Sequence, residues 1–374
     1  MTEQHNKIGG LDVLRAFAIL FVFIYHYIVF FEHPLWLENI GKFGWTGVDL
    51  FFVLSGYLIA SQLFDNIRNS NKINLRVFFI KRIFRIFPAY FFILTIYFLF
   101  PFVREKESLA PLWKYLTFTL NLNLNSSLNG TFSHAWSLCV EEQFYLIFPL
   151  ILYLIFKLNL FNKSWLLICF LFIAGFLIRH FWWVRINELF GGSGSFKLYW
   201  IMRLYFPTYC RLDGLLAGIS IAALINYKPN FRLFLNKNGY FFLGLGLLVL
   251  FAAYILCIDE TSYNASVFGF PLVSIGYGFI VLSALSVQTF LHKSNYFITS
   301  KIATYSYSIY LSHKIIIHLV QRYFANYHIE TDSTWVLLAS FFCSVFVAFL
   351  IYNFIEKPFL KIRVHIINKI NLAR

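Results

Sequence analysis

The first apolar stretch of the chain, LDVLRAFAILFVFIYHY at 11–27, carries Arg15 and His26 among residues otherwise oily enough to lie in a bilayer. An ionisable side chain at the centre of a membrane helix costs about 2.5–3.5 kcal/mol on insertion scales, so such groups face an interior cavity and mark a function. The step of eleven residues turns an α-helix through about 1100°, three turns plus roughly 20°, and climbs about 16 Å. Arg15 and His26 therefore share one face at different depths. Imidazole can move a proton or act as a nucleophile, and guanidinium is a permanent cation that suits phosphates.

Other polar residues lie in oily surroundings. In GWTGVDLFFVLSGYLIA, Asp49 sits near the outer end of the second span, with Ser55 and Gly56 mid-span. A small residue there favours close helix packing, whereas Asp49 needs another reason. RVFFIKRIFRIFPAY places Lys81, Arg82 and Arg85 at the inner mouth of the third span, either as a positive-inside anchor or as a holder of phosphates. Pro88 is expected to break that helix and open a water-lined cavity. In SHAWSLCVEEQFYLIFPL, His134, Ser137, Glu141 and Tyr145 fall on one stripe, and Glu142 lies about 100° away beside Leu138 and Leu146. The paired carboxylates complement the helix dipole or form a site wall, and the inward-running stripe, with Trp136 at its head, favours the wall. YCRLDGLLAG sets Arg211 and Asp213 at the outer end of the sixth span, to pair with each other or with Glu141 and Glu142. TYSYSIYLSHKII gives Ser306, Tyr310 and His313 one face.

Counted from Leu11, His26 lies about 22 Å in, past the midplane of a ~30 Å core, and Arg15 about 6 Å in. His26 then groups with Asp49, Glu141, Arg211 and Asp213, and Arg15 with Arg82 and Arg85. The expectation is one cavity crossing the membrane, cationic at its inner mouth and acid/base in character further out.

The elements that must position these groups are helical spans. Apolar and aromatic residues make up 59% of the 374 residues and charged ones 13%, far from a soluble domain. The apolar runs are too long for the ~10-residue alternating segments of an outer-membrane barrel. An all-α, polytopic, multi-pass membrane protein of about ten transmembrane helices follows, at 11–31, 45–65, 77–102, 135–156, 164–183, 208–226, 239–257, 266–290, 301–324 and 334–354. Most of the 31 basic residues fall in alternate connections, while those at 258–265 and 325–333 hold Asp259, Glu260, Glu330 and Asp332 and no Lys or Arg. The positive-inside rule puts both the N- and C-termini in the cytoplasm. The long connections 103–134 and 184–207 carry aromatic stretches that lie along the interface or form a lid. The net charge of +14 is a topology signal, with no nucleic-acid partner implied. Five scattered cysteines lack the close pairs of a zinc site, and no metal is expected. The chain reads as a single domain, 1–374, with the lipid bilayer as its solvent; its oligomeric state is not legible.

Arg15 with His26, FFVLSGYLI, KRIFRIFPAY, WSLCVEEQFYL, RLDGLLAG, YSIYLSH and FIEKPF, in that order, resemble the membrane-bound acyltransferase 3 family from residue 10 to about 360. The resemblance implies a ten-helix membrane fold in a bacterial inner membrane. It further implies transfer of acyl groups, commonly acetyl from cytosolic acetyl-CoA, to a carbohydrate or lipid-linked glycan acceptor such as O-antigen or capsule. It makes His26 the catalytic centre with Arg15 its partner, and puts Lys81, Arg82 and Arg85 at the donor entrance. Lys81 stands where the family pattern has Arg, which keeps the charge and loses the bidentate fork.

Acyl transfer needs a base for the hydroxyl proton and donors for the oxyanion. His26, oriented by Glu141 or Asp49, would be that base, or would itself be acylated and relay the group. Ser55 and Gly56 are assigned to the donor side. Trp136, Ser137, Glu142, Tyr145, Arg211, Asp213, Tyr310 and His313 are assigned to the site wall facing the acceptor. Some relatives carry an appended extracytoplasmic domain, for which this chain is expected to have no room. A secondary transporter would be expected to show matching broken helices in two halves, and a polyprenyl-linked glycosyltransferase acidic external loops. Neither pattern is evident.

Overall fold

The computed structural model of the chain describes residues 9–294 and 296–372, which form helices and connections with no strand among the described residues. Ten long helices answer to the ten expected segments: α1 (Gly9–Phe30), α2 (Gly47–Ser70), α3 (Leu75–Leu99), α4 (Trp136–Lys157), α5 (Ser164–Phe190), α6 (Asp213–Tyr227), α7 (Gly239–Leu256), α8 (Phe270–Leu285), α9 (Phe297–Asn326) and α10 (Thr334–Ile351). A basic helix, α11 (Lys357–Leu372), follows and touches α3 through Phe359 on Phe84. Among the described residues, 7 helices are long and apolar enough to cross a membrane. The chain is an all-α polytopic membrane protein. Helices α3, α6 and α9 fall outside the seven: α6 has 15 residues, and α3 and α9 carry Arg82, Arg85, His313 and Lys314.

In lipid, helices gain little from hydrophobic burial against one another, so close backbone approach and interhelical polar bonds decide the packing. Helices α2 and α6 meet where Gly56 faces the backbone of Leu215 and Gly218 faces that of Val53 and Tyr57; a Cβ at either position would collide. Gly56 thus serves the close packing expected of a small residue there, and it does not border the inner cavity to which it was also assigned. The centre of the bundle is α1, α2, α6, α8 and α9. Its flank is α5, of whose apolar window only 6% is buried, against 78% for the window containing α8.

Among the contacts that hold α5 is Arg179, which is fully buried. Its Nη1 donates to Asp213 Oδ2 at 2.7 Å and to the Cys210 carbonyl at 3.0 Å, and its Nε donates to the Val267 carbonyl at 3.2 Å. Gly175, one turn earlier, leaves room for that guanidinium. Asp213 is thus paired with Arg179, and with neither Arg211 nor the α4 carboxylates.

Pro88 does not break α3, which runs through it without interruption. One turn of backbone near the proline is tied to α9, where the Tyr307 hydroxyl donates to the Ile86 carbonyl at 2.9 Å.

Both long connections fold back onto the bundle. In 103–134, Tyr115 and Phe132 are fully buried, with Phe132 stacked 4.6 Å from Tyr97, while Leu112, Trp113 and Leu116 point outward. Glu105 turns inward, accepts the Phe132 amide at 3.0 Å and forms a 2.8 Å ion pair with Lys314 Nζ of α9. In 184–207, Trp200 is buried and donates to Ser266 at 2.7 Å.

Two stability experiments follow from these ion pairs. Removing one member of a buried pair strands the other and costs about 3–5 kcal/mol. Arg179→Met is expected to lower the unfolding midpoint in detergent sharply, and Arg179→Met with Asp213→Asn to regain much of the loss. Burial alone would raise the Glu105 carboxyl, but the Lys314 ammonium and the bonds from Lys314 and Phe132 outweigh it and hold it below its ordinary value of 4.5. A lowered carboxyl stabilises the fold fully above the unfolded value and loses that contribution as pH falls through the folded one. Thermal unfolding followed below pH 4.5 should therefore show an acid loss that is smaller in Glu105→Gln.

Candidate active site

His26 meets another imidazole rather than a carboxylate. Its Nδ1 lies 2.7 Å from Nε2 of His313, with both rings buried. The ring planes differ by 9° and the centroids are 5.0 Å apart. With so short an N···N distance, that separation puts the rings edge to edge in nearly one plane, the bond running along the lone-pair direction. His134, just before α4, presents its ring 5.7 Å from His26 and 5.2 Å from His313. Among the described residues no side chain hydrogen-bonds to the His134 ring, although the residue is buried.

Two cavities flank this cluster. The inner one, about 120 Å³, is bordered by Arg15, Arg82 and Arg85 and by Glu141 and Glu142. Its polar wall is ordered: Ser55 donates to Glu141 Oε1 at 3.1 Å and the Tyr145 hydroxyl to Oε2 at 2.7 Å. Arg82 donates to Gln62 at 3.2 Å and lies 5.4 Å from the Tyr145 ring centre. Arg15 also reaches Asp12 at 3.5 Å. The outer cavity, about 880 Å³, is bordered by His26, His134, Trp136 and Tyr205, with Lys197 and Glu260 among its polar walls.

Val48 borders both cavities, and Ser137 and Tyr310 border the inner one on the side of His134. The Tyr310 hydroxyl donates to the His134 carbonyl at 2.7 Å and lies 2.6 Å from Ser137 Oγ. Tyrosine has one hydroxyl proton and a carbonyl can only accept, so Ser137 is the donor to Tyr310. The single crossing cavity expected from depth is therefore two cavities, with these hydroxyls between them.

Several expectations change. Asp49 does not reach His26; both its oxygens accept from Arg211 Nη2 at 3.0 Å, and this pair is capped by Phe270 and Tyr205, 4.1 and 4.9 Å from the Arg211 guanidinium carbon. Glu141 is held by Ser55 and Tyr145, so neither carboxylate orients His26. Arg211 and Asp213 border neither cavity, and Lys81 does not border the inner one. The structure brings Arg15, Ser55, Arg82, Arg85, Ser137, Glu141, Glu142, Tyr145 and Tyr310 to the inner cavity, Trp136 to the outer one, and His313 onto His26.

Sequence reasoning passed over Lys314 and Glu105. Lys314 is fully buried with its Nζ 3.7 Å from the Phe30 ring centre, and Phe30 in turn packs edge-on against His26 at 5.7 Å. A lysine next to His313 inside an apolar helix was a usable signal. Glu105, in the charge run REKE, carries no sequence feature that sets it apart from a solvated loop residue.

Among the described residues no group of three or more His, Cys, Asp or Glu side chains is arranged to hold a metal. What the arrangement offers is a base or nucleophile at the outer cavity and a cluster of cations at the inner one.

The chain is 32% identical to a putative O-acetyltransferase of Staphylococcus aureus strain COL, over 96% of this chain and 58% of that protein. It is 29% identical to the O-acetyltransferase OatA of Staphylococcus aureus strain NCTC 8325, over 94% of this chain and 57% of OatA. It thus spans somewhat less than three fifths of the length of these relatives. No solved structure matches it. The family model described as an acyltransferase domain matches residues 8–353, nearly the whole chain, and the chain belongs to that family.

Proposed function

We propose that this chain is an integral-membrane O-acyltransferase of a bacterial cytoplasmic membrane. In this reading it takes acetyl from cytosolic acetyl-CoA and delivers it to a hydroxyl of a cell-surface polysaccharide or lipid-linked glycan, such as O-antigen or capsule, at the outer face. Family membership and the names of the relatives support acyl transfer. The observation that carries the reading is the division of labour between the cavities: three arginines border the inner one and His26 the outer one. With the Arg-rich end in the cytoplasm, as the basic connections favour, an anionic donor and a neutral sugar would each meet matching chemistry.

The inner cavity is small, at about 120 Å³. Such a space suits the acyl-thioester tip of the donor, while its nucleotide phosphates stay at the mouth near Arg82 and Arg85. His26 has two routes. As a base, it takes the acceptor hydroxyl proton while that oxygen bonds to the thioester carbonyl carbon; the C–S bond then breaks and the thiolate leaves. As a nucleophile, its nitrogen takes the acyl group from sulfur first and yields it to the acceptor oxygen afterwards. Label from acetyl-CoA trapped on the protein in the absence of acceptor distinguishes the second route from the first.

Purified protein in liposomes, given labelled acetyl-CoA and surface glycan, is expected to place label on the glycan. No label on glycan or protein with any acceptor tested, and unchanged glycan masses in cells lacking the chain, would rule the reading out. His26→Ala is expected to reduce transfer by about 10²–10⁴-fold, the range for a lost acid/base group, in a protein that still shows a cooperative unfolding transition in detergent. Arg82→Ala with Arg85→Ala removes charge-assisted bonds to phosphate, so the KM for acetyl-CoA should rise by at least about tenfold with a smaller change in kcat. A double variant with wild-type KM would remove these arginines from the donor site.

A further inference from the structure

His313 is bonded on both sides. Its Nε2 meets His26, and its Nδ1 lies 2.9 Å from the Tyr310 carbonyl and 3.0 Å from the Ile309 carbonyl of its own helix. A carbonyl oxygen has no proton to give, so Nδ1 of His313 must carry one. The charge state of the ring then decides the rest. The cation next along α9, Lys314, already uses Glu105 as its counter-ion at 2.8 Å. The other imidazole beside His313 is His134, to which, among the described residues, no carboxylate is bonded. A positive charge on His313 would have no counter-charge of its own in an enclosed setting, so the ring is neutral.

A neutral imidazole protonated on Nδ1 has a bare Nε2. The 2.7 Å bond needs one proton between its two nitrogens, and that proton belongs to Nδ1 of His26. His26 is left with its lone pair on Nε2. Among the described residues nothing hydrogen-bonds to that nitrogen, and the ring borders the outer cavity. We propose that His313 is the positioning residue that fixes His26 as its Nδ1–H tautomer and turns the bare Nε2 toward the outer cavity. The α9 backbone thereby chooses the reactive nitrogen of α1. In Ser-His-Asp sites a carboxylate accepts the corresponding Nδ1–H; here a neutral ring does so, and its own orientation is set by two carbonyls.

The role in chemistry rests on the acyltransferase reading, but the tautomer does not, so the two are tested apart. Protein labelled with ¹⁵N-histidine and reconstituted in lipid gives distinct signals for protonated and bare ring nitrogens, and His26→Gln assigns the His26 pair. The expected result in the resting wild-type protein is a protonated Nδ1 and a bare Nε2 on His26. A protonated Nε2 with a bare Nδ1, or a doubly protonated ring at neutral pH, overturns the inference without need of any variant. In His313→Ala, the His26 signals should become a mixture of both tautomers. Turnover should fall at least tenfold with the KM for acetyl-CoA unchanged, and His313→Gln, which restores an acceptor oxygen, should regain part of it. An unmixed Nδ1–H tautomer in His313→Ala would show that something else holds the ring. Loss of turnover in wild-type protein would count against the acyltransferase reading alone and leave the tautomer standing.

Discussion

The 2.7 Å bond between His26 and His313 joins the first long helix to the ninth, and it illustrates the constraint under which the whole bundle is built. No water is available in hydrocarbon to satisfy a polar side chain, so each one must find its partner on another helix or on its own backbone. The same demand is met by Ser55 and Glu141 between α2 and α4, by Ser137 and Tyr310 between α4 and α9, and by Arg179 and Asp213 between α5 and α6. Each contact fixes the rotation of a helix about its axis. Helices turned to meet these partners also present Arg15, Glu142 and Arg85 to one cavity and His26 to the other. Positioning of the site and cohesion of the bundle come from the same bonds.

The pair formed by Arg211 and Asp49 shows how strongly burial selects partners. A carboxylate close to the membrane's outer half looks well placed to orient an imidazole, as Asp does in hydrolases. Yet Arg211 sits at the head of α6 among Trp45, Trp136, Tyr205 and Phe270, and a guanidinium enclosed by aromatic rings still requires an anion. Asp49 supplies it with both oxygens. Trp45, Trp136 and Tyr205 also border the outer cavity, so the ion pair stiffens its aromatic wall from behind. Asp49 therefore contributes to the site through packing, and His26 relies on a ring that no carboxylate touches.

Much of this was legible in the chain because periodicity survives in a membrane helix. The eleven-residue step from Arg15 to His26 gave the common face and the separation in depth, and the stripe Ser137–Glu141–Tyr145 gave a wall that borders the inner cavity. Of the face expected for Ser306, Tyr310 and His313, the first two border the inner cavity and His313 meets His26. Pairing across helices was not legible, since spacing along one helix says nothing about which neighbour faces it. Hence the spacing leaves Arg211 and Asp213 to pair with each other or with the α4 carboxylates, whereas Asp213 pairs with Arg179, which lies in a helix whose other faces meet lipid and carries no sequence signal. Gly56 follows the packing reading that a small residue favours, although only the position of Leu215 identifies the helix it packs against. Pro88 failed as a marker because a proline costs a helix one backbone bond, which a neighbouring helix can absorb.

The division between the cavities bears on any chemistry that joins a group from one side of a membrane to an acceptor on the other. A reactive thioester must be kept from water until its acceptor is present, and an open channel would not do this. Here the obstruction consists of Ser137, Tyr310 and Val48, with a short chain of hydroxyl bonds ending on the His134 carbonyl. Such bonds are worth about 1 kcal/mol each net, so opening the two of them costs a few kcal/mol at most. That is small beside the barriers enzymes routinely lower, about 8–23 kcal/mol. A barrier of this height separates two cavities on average and is still crossed by thermal motion. Ser137 lies on α4 with the inner carboxylates and Tyr310 on α9 with His313, so the hydroxyls between the cavities and the imidazole pair are positioned by the same two helices.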